Sequence, residues 1–314
     1  MESLLIHPFY TDENKNNIYI LREDLLPFSF GGNKYRIALK YIQDMKQKKC
    51  TVMVGYGSPQ SNLSRILANL CKANGIRCIL IVSRETSMEK DIETYFNSKL
   101  LQGMSIEMHF CEKKDVPHFV PALLTHLEKQ GEKPYYIYSS DNISAAISAY
   151  EEVYILIEQW EDYKKQEFEK IFLACGTGMT LSGLICANKN SAKKRKPEIV
   201  GISIAREKSK ELNVIQEYVD CYVSSKNRKV FKIDSSVLVD DYLCEGYGRY
   251  NLDIEDTIKN TFYKTGVPLD PTYTGKAFWG MQQELLKSHV NHKNILFIHT
   301  GGAPLFFDYL NYGG

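Results

Sequence analysis

The stretch Gly31-Gly32-Asn33-Lys34-Tyr35-Arg36 sets a lysine just after a glycine turn, at the start of an amphipathic helix. Ile37, Ala38, Tyr41, Ile42 and Met45 follow on one face at helical spacing. A helix N-terminus is positive, so a cation is disfavoured there. The same field, with burial, lowers an amine's pKa, and a neutral amine is a nucleophile. The chemistry that most needs such a lysine is a Schiff base with a carbonyl cofactor. The same residues also suit a surface lysine after a turn.

Three polar loops bear on that choice. Gly57-Ser58-Pro59-Gln60-Ser61-Asn62 opens a helix, and its free N–H groups suit a carboxylate or phosphate. Ser61 or Asn62 would equally serve as an ordinary N-cap. Gly176-Thr177-Gly178-Met179-Thr180 reads as an anion nest with hydroxyls as added donors. It lacks the Lys-Ser/Thr pair of a Walker loop. Ser182 before Gly183, and Ala205-Arg206 after the next strand, do not fit a dinucleotide fingerprint. His299-Thr300-Gly301-Gly302-Ala303-Pro304 is the third loop, and Pro304 can start a helix. Upstream, Tyr273 could supply a phenol over a flat ligand. A lysine, a phosphate nest and two glycine loops together suggest a phosphorylated aldehyde cofactor.

These loops need elements to hold them. Apolar β-rich runs at 51–56, 78–83, 106–110, 135–138, 170–175, 199–205 and 294–300 read as strands. Helical patterns cover 63–73, 88–101, 116–129, 143–160, 253–264 and 276–288, with another helix from Leu181. Short strands alternating with helices predict parallel sheets with right-handed crossovers, an α/β fold. Ligands bind such sheets at the carboxyl ends of the strands, where the loops fall. The charge-rich segments 161–170 and 189–198 read as solvated faces.

Composition narrows the classes. A net charge of +1 over 314 residues argues against a nucleic-acid partner. No apolar run approaches the ~20 residues of a membrane span. Glu2, Asp12 and Glu13 occupy a terminus without a secretory signal pattern, and the eight cysteines include no C-x-x-C pair. Reduced thiols and a cytoplasmic location are therefore expected. His289 and His292 have no accompanying ligand cluster, so no metal is expected.

Six ordered segments resemble one family: LREDLLPFSFGGNKYR, PQSNLSR, CGTGMTLSGL, DDYLCEGYG, LDPTYTGKA and FIHTGGAP. The chain resembles the D-cysteine desulfhydrase and 1-aminocyclopropane-1-carboxylate (ACC) deaminase family of pyridoxal-phosphate enzymes. These have the tryptophan-synthase-β fold type. The resemblance implies two domains, each with a mainly parallel sheet flanked by helices. It places the large cofactor domain at 1–38 and 150–314, and a small mobile domain at 39–149. It also implies a homodimer.

The same resemblance assigns roles. Lys34 would link to pyridoxal 5′-phosphate and shuttle the α-proton. Gly176, Thr177, Gly178, Met179 and Thr180 would hold the phosphate, Asn62 the phenolic oxygen, and Thr300 would approach the pyridine nitrogen. Ser61 would take the substrate carboxylate and join Lys34 and Tyr273 in catalysis. Asn62, Leu63, Tyr247, Tyr273 and Thr274 would complete the substrate site. The implied reaction is β-elimination, foremost of a thiol from D-cysteine or another β-substituted alanine, giving pyruvate and ammonia. Alternatives are ACC deamination, β-replacement or racemisation, and a non-enzymatic cofactor carrier, which the retained Lys34 disfavours.

Three positions depart from the family pattern. Thr274 stands where ACC deaminases carry a glutamate that faces the pyridine nitrogen. A hydroxyl is a weaker partner for that nitrogen, which favours thiolate loss over cyclopropane opening. Leu63 stands where desulfhydrases commonly carry histidine, and Met179 replaces a smaller residue.

Overall fold

The computed structural model describes residues 4–84 and 95–312. The chain opens with β1 (Ile6–Thr11), β2 (Asn17–Arg22) and α1 (Asn33–Gln47). Strands and helices then alternate through β3 (Val52–Gly57), α2 (Asn62–Ala73), β4 (Arg77–Arg84), α3 (Phe96–Gly103), β5 (Glu107–Glu112), α4 (Val116–Lys129) and β6 (Pro134–Tyr136). A long α5 (Ser140–Lys164) leads to β7 (Lys170–Cys175), α6 (Met179–Asn190), β8 (Glu198–Ser203), α7 (Lys208–Ser225) and β9 (Leu238–Val239). The chain closes with α8 (Leu252–Thr265), α9 (Thr274–Lys287), β10 (Asn294–His299) and α10 (Ala303–Tyr312).

Among the described residues two sheets form, in the orders β1-β2-β10-β7-β8-β9 and β5-β4-β3-β6. Pairing is parallel throughout except for the antiparallel β1–β2 hairpin. The expected α/β class with two parallel-sheet units is therefore what the chain adopts. Parallel strands are covered on both faces, so they read as continuous apolar runs. β7 illustrates this: Ile171, Leu173 and Cys175 enter one core, and Phe172 and Ala174 the other. The first core runs from the larger sheet through α1 and α5 to Met53 and Leu80 of the smaller sheet.

The smaller sheet lies wholly within 52–136. We propose the same domain division, 1–38 with 150–314 against 39–149. Both junctions fall inside helices, α1 and α5, so these two helices belong to each unit's core. Part of the helix expected at 88–101 lies outside the described residues, and α3 begins at Phe96. The hairpin β1–β2 and helix α7 were not anticipated. Both have a signal: the consecutive buried run Ile18–Leu21, and Ile215, Val219, Tyr222 and Val223 at helical spacing.

Candidate active site

Lys34 occupies the second position of α1, whose N-cap Gly32 (φ +100°) brings no capping side chain. No acidic residue stands in that first turn. The helix is aimed by Glu23, which accepts from Arg36 Nε at 2.8 Å and from the Tyr150 hydroxyl at 2.9 Å. Among the described residues, nothing hydrogen-bonds or ion-pairs with Lys34 Nζ. Burial pulls its pKa down to about 8, with Cys175 opposing slightly. Cys175 is no rival nucleophile: burial pushes its thiol well up, and it donates to Glu211 Oε1 at 3.6 Å. Because the neutral amine is the reactive form, uptake of an aldehyde by the apoprotein should speed up about tenfold per pH unit below pKa. It should level off above about 8. A stopped-flow pH series checks this, and a flat profile would contradict it.

The anion nest sits where β7 hands over to α6. Gly178 is in the left-handed region (φ +82°), and α6 has neither a side-chain cap nor an acid in its first turn. Its leading N–H groups are thus open to an anion. A Cβ at Gly178 would lie 3.0 Å from Ile215 Cγ1. Gly178→Ala should weaken phosphate-cofactor affinity about tenfold or more through strain and clash, as a fluorescence titration would read. The Thr180 hydroxyl accepts from Asn33 Nδ2 at 2.9 Å, which ties the nest to the residue beside Lys34. Its own proton is left to donate. Arg206 approaches from behind, donating to Gly176 O (3.2 Å) and to the buried Glu211 Oε2 (2.6 Å).

The third loop locks against the lysine turn. Asn33 N donates to Thr300 O at 3.0 Å. A Cβ at Gly301 (φ +100°) would lie 2.5 Å from Gly32 Cα, so the two backbones touch where side chains would sit. His299 fixes this loop: Nε2–H donates to Pro268 O at 2.8 Å and Nδ1 accepts from Gly301 N at 3.2 Å.

At the end of β3, Ser61 is the N-cap of α2, accepting from Ser64 N at 3.1 Å. Its hydroxyl proton stays available. Asn62 Oδ1 accepts from Arg65 Nη2 (3.3 Å) and Asn97 Nδ2 (3.1 Å). With both lone pairs engaged, its NH₂ is the group left to meet an acceptor such as a phenolic oxygen. Arg65 also donates to Ser29 Oγ at 2.9 Å, which links α2 to the turn before Lys34.

Tyr273 lies over the nest: a Cβ at Gly176 would be 3.4 Å from its ring. Its hydroxyl shares a 2.8 Å hydrogen bond with Tyr247. Tyr247 also meets Ser58 of the β3–α2 loop. Burial pushes both phenols up, Tyr273 far above the ordinary tyrosine range.

The structure thus gathers Lys34, Gly176, Thr177, Gly178, Thr180, Tyr247, Tyr273 and Thr300 at the carboxyl ends of β7 and β10, and ties Asn62 in through Arg65. Three side chains depart from expectation. Thr274 is fully buried; its hydroxyl donates to Asp270 Oδ2 at 2.8 Å and accepts from Asp270 N at 2.9 Å. It braces the Tyr273 turn and does not line a substrate cavity. Leu63 and Met179 are buried in the core, Met179 against the Tyr41 hydroxyl at 3.5 Å. Only backbone at 179 can meet a phosphate. Asn33, Arg65, Asp270 and Lys276 were not anticipated as site residues. All four lie inside the motif segments quoted above, which was the available signal.

An anion nest at a helix N-terminus, with an unpartnered amine in the first turn of the neighbouring α1, fits a phosphorylated aldehyde. A family model described as pyridoxal-phosphate dependent enzyme matches residues 4–301, and the chain belongs to that family. Its cofactor is pyridoxal 5′-phosphate.

Within the family, the relatives are narrower in kind. D-cysteine desulfhydrase of Serratia proteamaculans (strain 568) is 27% identical over 295 residues, 93% of this chain and 88% of that protein. D-cysteine desulfhydrase of Klebsiella pneumoniae (strain 342) is 28% identical over 308 residues, 96% and 92%. Among solved structures, an ACC deaminase homologue aligns with TM-score 0.82 and 27% identity over 99% of this chain and 93% of that one. A hydrogen sulfide-producing enzyme from Fusobacterium nucleatum shares the fold, with TM-score 0.63 and 18% identity over 96% and 95%.

Proposed function

We propose that this enzyme is a lyase that eliminates a β-substituent, foremost a thiol, from a small amino acid such as D-cysteine. The products are pyruvate, ammonia and the thiol. The observation that carries this reading is the Tyr247–Tyr273 pair. Phenols pushed up by burial keep their protons at neutral pH. Kept protonated, the pair can hydrogen-bond a departing sulfur and relay to it a proton that Lys34 Nζ replaces, and it does not suit attack on carbon. The named activity of the desulfhydrase relatives points the same way.

When bound, the cofactor supplies the electron sink for charge left on the substrate α-carbon. Lys34 is the residue that would hold it, and with Nζ freed by the substrate amine it would take the α-proton there. The Cβ–S bond would then break with the Tyr273 hydroxyl passing a proton to the sulfur and the proton on Lys34 Nζ restoring it, and water would hydrolyse the released enamine to pyruvate and ammonia. Ser61 O–H and the first N–H groups of α2 would take the substrate carboxylate, and the Asn62 amide would meet the phenolic oxygen. Thr180 and the α6 N–H groups would hold its phosphate. Position 274 brings no carboxylate to the ring, which disfavours ACC opening.

A panel of D- and L-amino acids with β-leaving groups, scored for pyruvate and thiol, tests the proposal. Turnover of D-cysteine above ACC is expected. ACC consumed faster than every β-substituted alanine would overturn it.

We also propose a homodimer, which the exposed Leu252, Tyr263, Phe307 and Leu310 on α8 and α10 support; light scattering decides it. A cytoplasmic location is proposed because all eight cysteines are free thiols. No described helix is long and apolar enough to cross a membrane.

A further inference from the structure

Lys276 is a fully buried cation on the apolar face of α9, beside Ala277, Gly280 and Met281. Among the described residues no carboxylate forms an ion pair with it. Its Nζ donates instead to three backbone carbonyls: Leu243 O at 2.7 Å, Gly246 O at 2.9 Å and Ile204 O at 3.3 Å. Two of these flank an unusual turn. Cys244 (φ +48°), Glu245 (φ +66°) and Gly246 (φ +114°) are all in the positive-φ region, and two of them are not glycine. Such a turn persists only where its surroundings hold it. The next residue is Tyr247, whose hydroxyl meets Tyr273. The third carbonyl follows β8, on the larger sheet that carries the nest.

We propose that Lys276 is a positioning residue, a tethered cation that clamps the 243–246 turn to the larger sheet and so sets where Tyr247 stands against Tyr273. A neutral amine has two N–H donors and a lone pair, whereas an ammonium has three donors. Three converging acceptors therefore select the ammonium, against the burial that pulls its pKa down to about 8. The same three donor bonds leave Lys276 without a free lone pair, which separates it from the half-buried Lys34. Converging carbonyls also suit a weakly hydrated monovalent cation, because they replace its water shell. Removing the tethered cation should leave a cage that potassium or ammonium can fill.

The proposal rests on Tyr247 and Tyr273 facing the substrate, and the test separates the two ideas. Holoenzyme Lys276→Ala should lose about 100-fold in kcat/KM in choline chloride, as a displaced reacting group would. It should regain about tenfold or more in potassium or ammonium chloride at equal ionic strength, but not in lithium chloride. In a Tyr247→Phe background the same substitution should cost only about tenfold further and not 100-fold, since groups acting through one another are not additive. The melting temperature of Lys276→Ala should rise in potassium over choline, a readout that needs no substrate and stands if the lyase assignment fails. Recovery indifferent to the cation, or additive losses with Tyr247→Phe, would overturn the proposal. If Lys276→Ala does not fold in choline, Lys276→Met decides. Bound cofactor with a large kcat/KM loss supports the clamp, and wild-type kcat/KM refutes it.

Discussion

Lys34→Ala lowers kcat by about 10⁴-fold or more, because one side chain both holds the cofactor and moves the α-proton. The loss falls on chemistry and not on folding. Lys34 Nζ makes no structural bond among the described residues, and burial holds its pKa near 8, so its removal relieves a desolvated amine. The variant should melt at or above the wild-type temperature and still bind the phosphate cofactor through the α6 nest. Lys34→Arg keeps the charge, cannot supply a neutral amine near pH 7, and should be nearly as slow. Single-turnover kinetics with spectroscopic titration of the cofactor measures both properties. Retention of wild-type activity in Lys34→Ala would remove the catalytic assignment.

Tyr273→Phe lowers kcat for cysteine about 10²- to 10³-fold, the range of a lost general acid, with little change in KM. The reasoning is specific to the leaving group. A thiolate benefits from a proton as it departs, whereas chloride needs none. β-Chloroalanine should therefore be eliminated by Tyr273→Phe at a rate within about tenfold of wild type, because proton donation drops out of that step. Equal losses on both substrates would mean that Tyr273 acts by shape alone. Tyr247→Phe breaks the 2.8 Å hydroxyl contact but leaves the donor in place. It should cost less, on the order of tenfold, as a lost supporting hydrogen bond does.

The parts of the fold legible from sequence are those where burial on both strand faces makes the signal one-dimensional. β7 and α4 coincide with the expected 170–175 and 116–129 residue for residue. The three loops at strand ends were legible because glycines and hydroxyls clustered there have few structural uses. Direction was harder. Leu63 and Met179 are themselves expected in the substrate and phosphate sites, but successive helical residues are rotated by about 100°, and both side chains turn into the core. Thr274 is expected in the substrate site, yet the chain folds back at Asp270, whose carboxylate also takes the Tyr273 and Thr274 N–H groups at 2.7 and 3.0 Å. That turn is a tertiary feature with no periodicity to reveal it. Lys276 escaped because a lysine in a helix ordinarily reads as solvated, and only the converging carbonyls give it another meaning.

Two lysines, Lys34 and Lys276, have their pKa drawn down to about 8 by desolvation. Only Lys34 has a free lone pair beside the phosphate nest. Reducing the holoenzyme with borohydride and mapping the pyridoxyl group by peptide mass spectrometry tests this distinction directly. The modification is expected on Lys34 at close to one per chain, with Lys276 untouched. A pyridoxyl group on Lys276 or any other lysine, or none at all in active enzyme, would contradict the account.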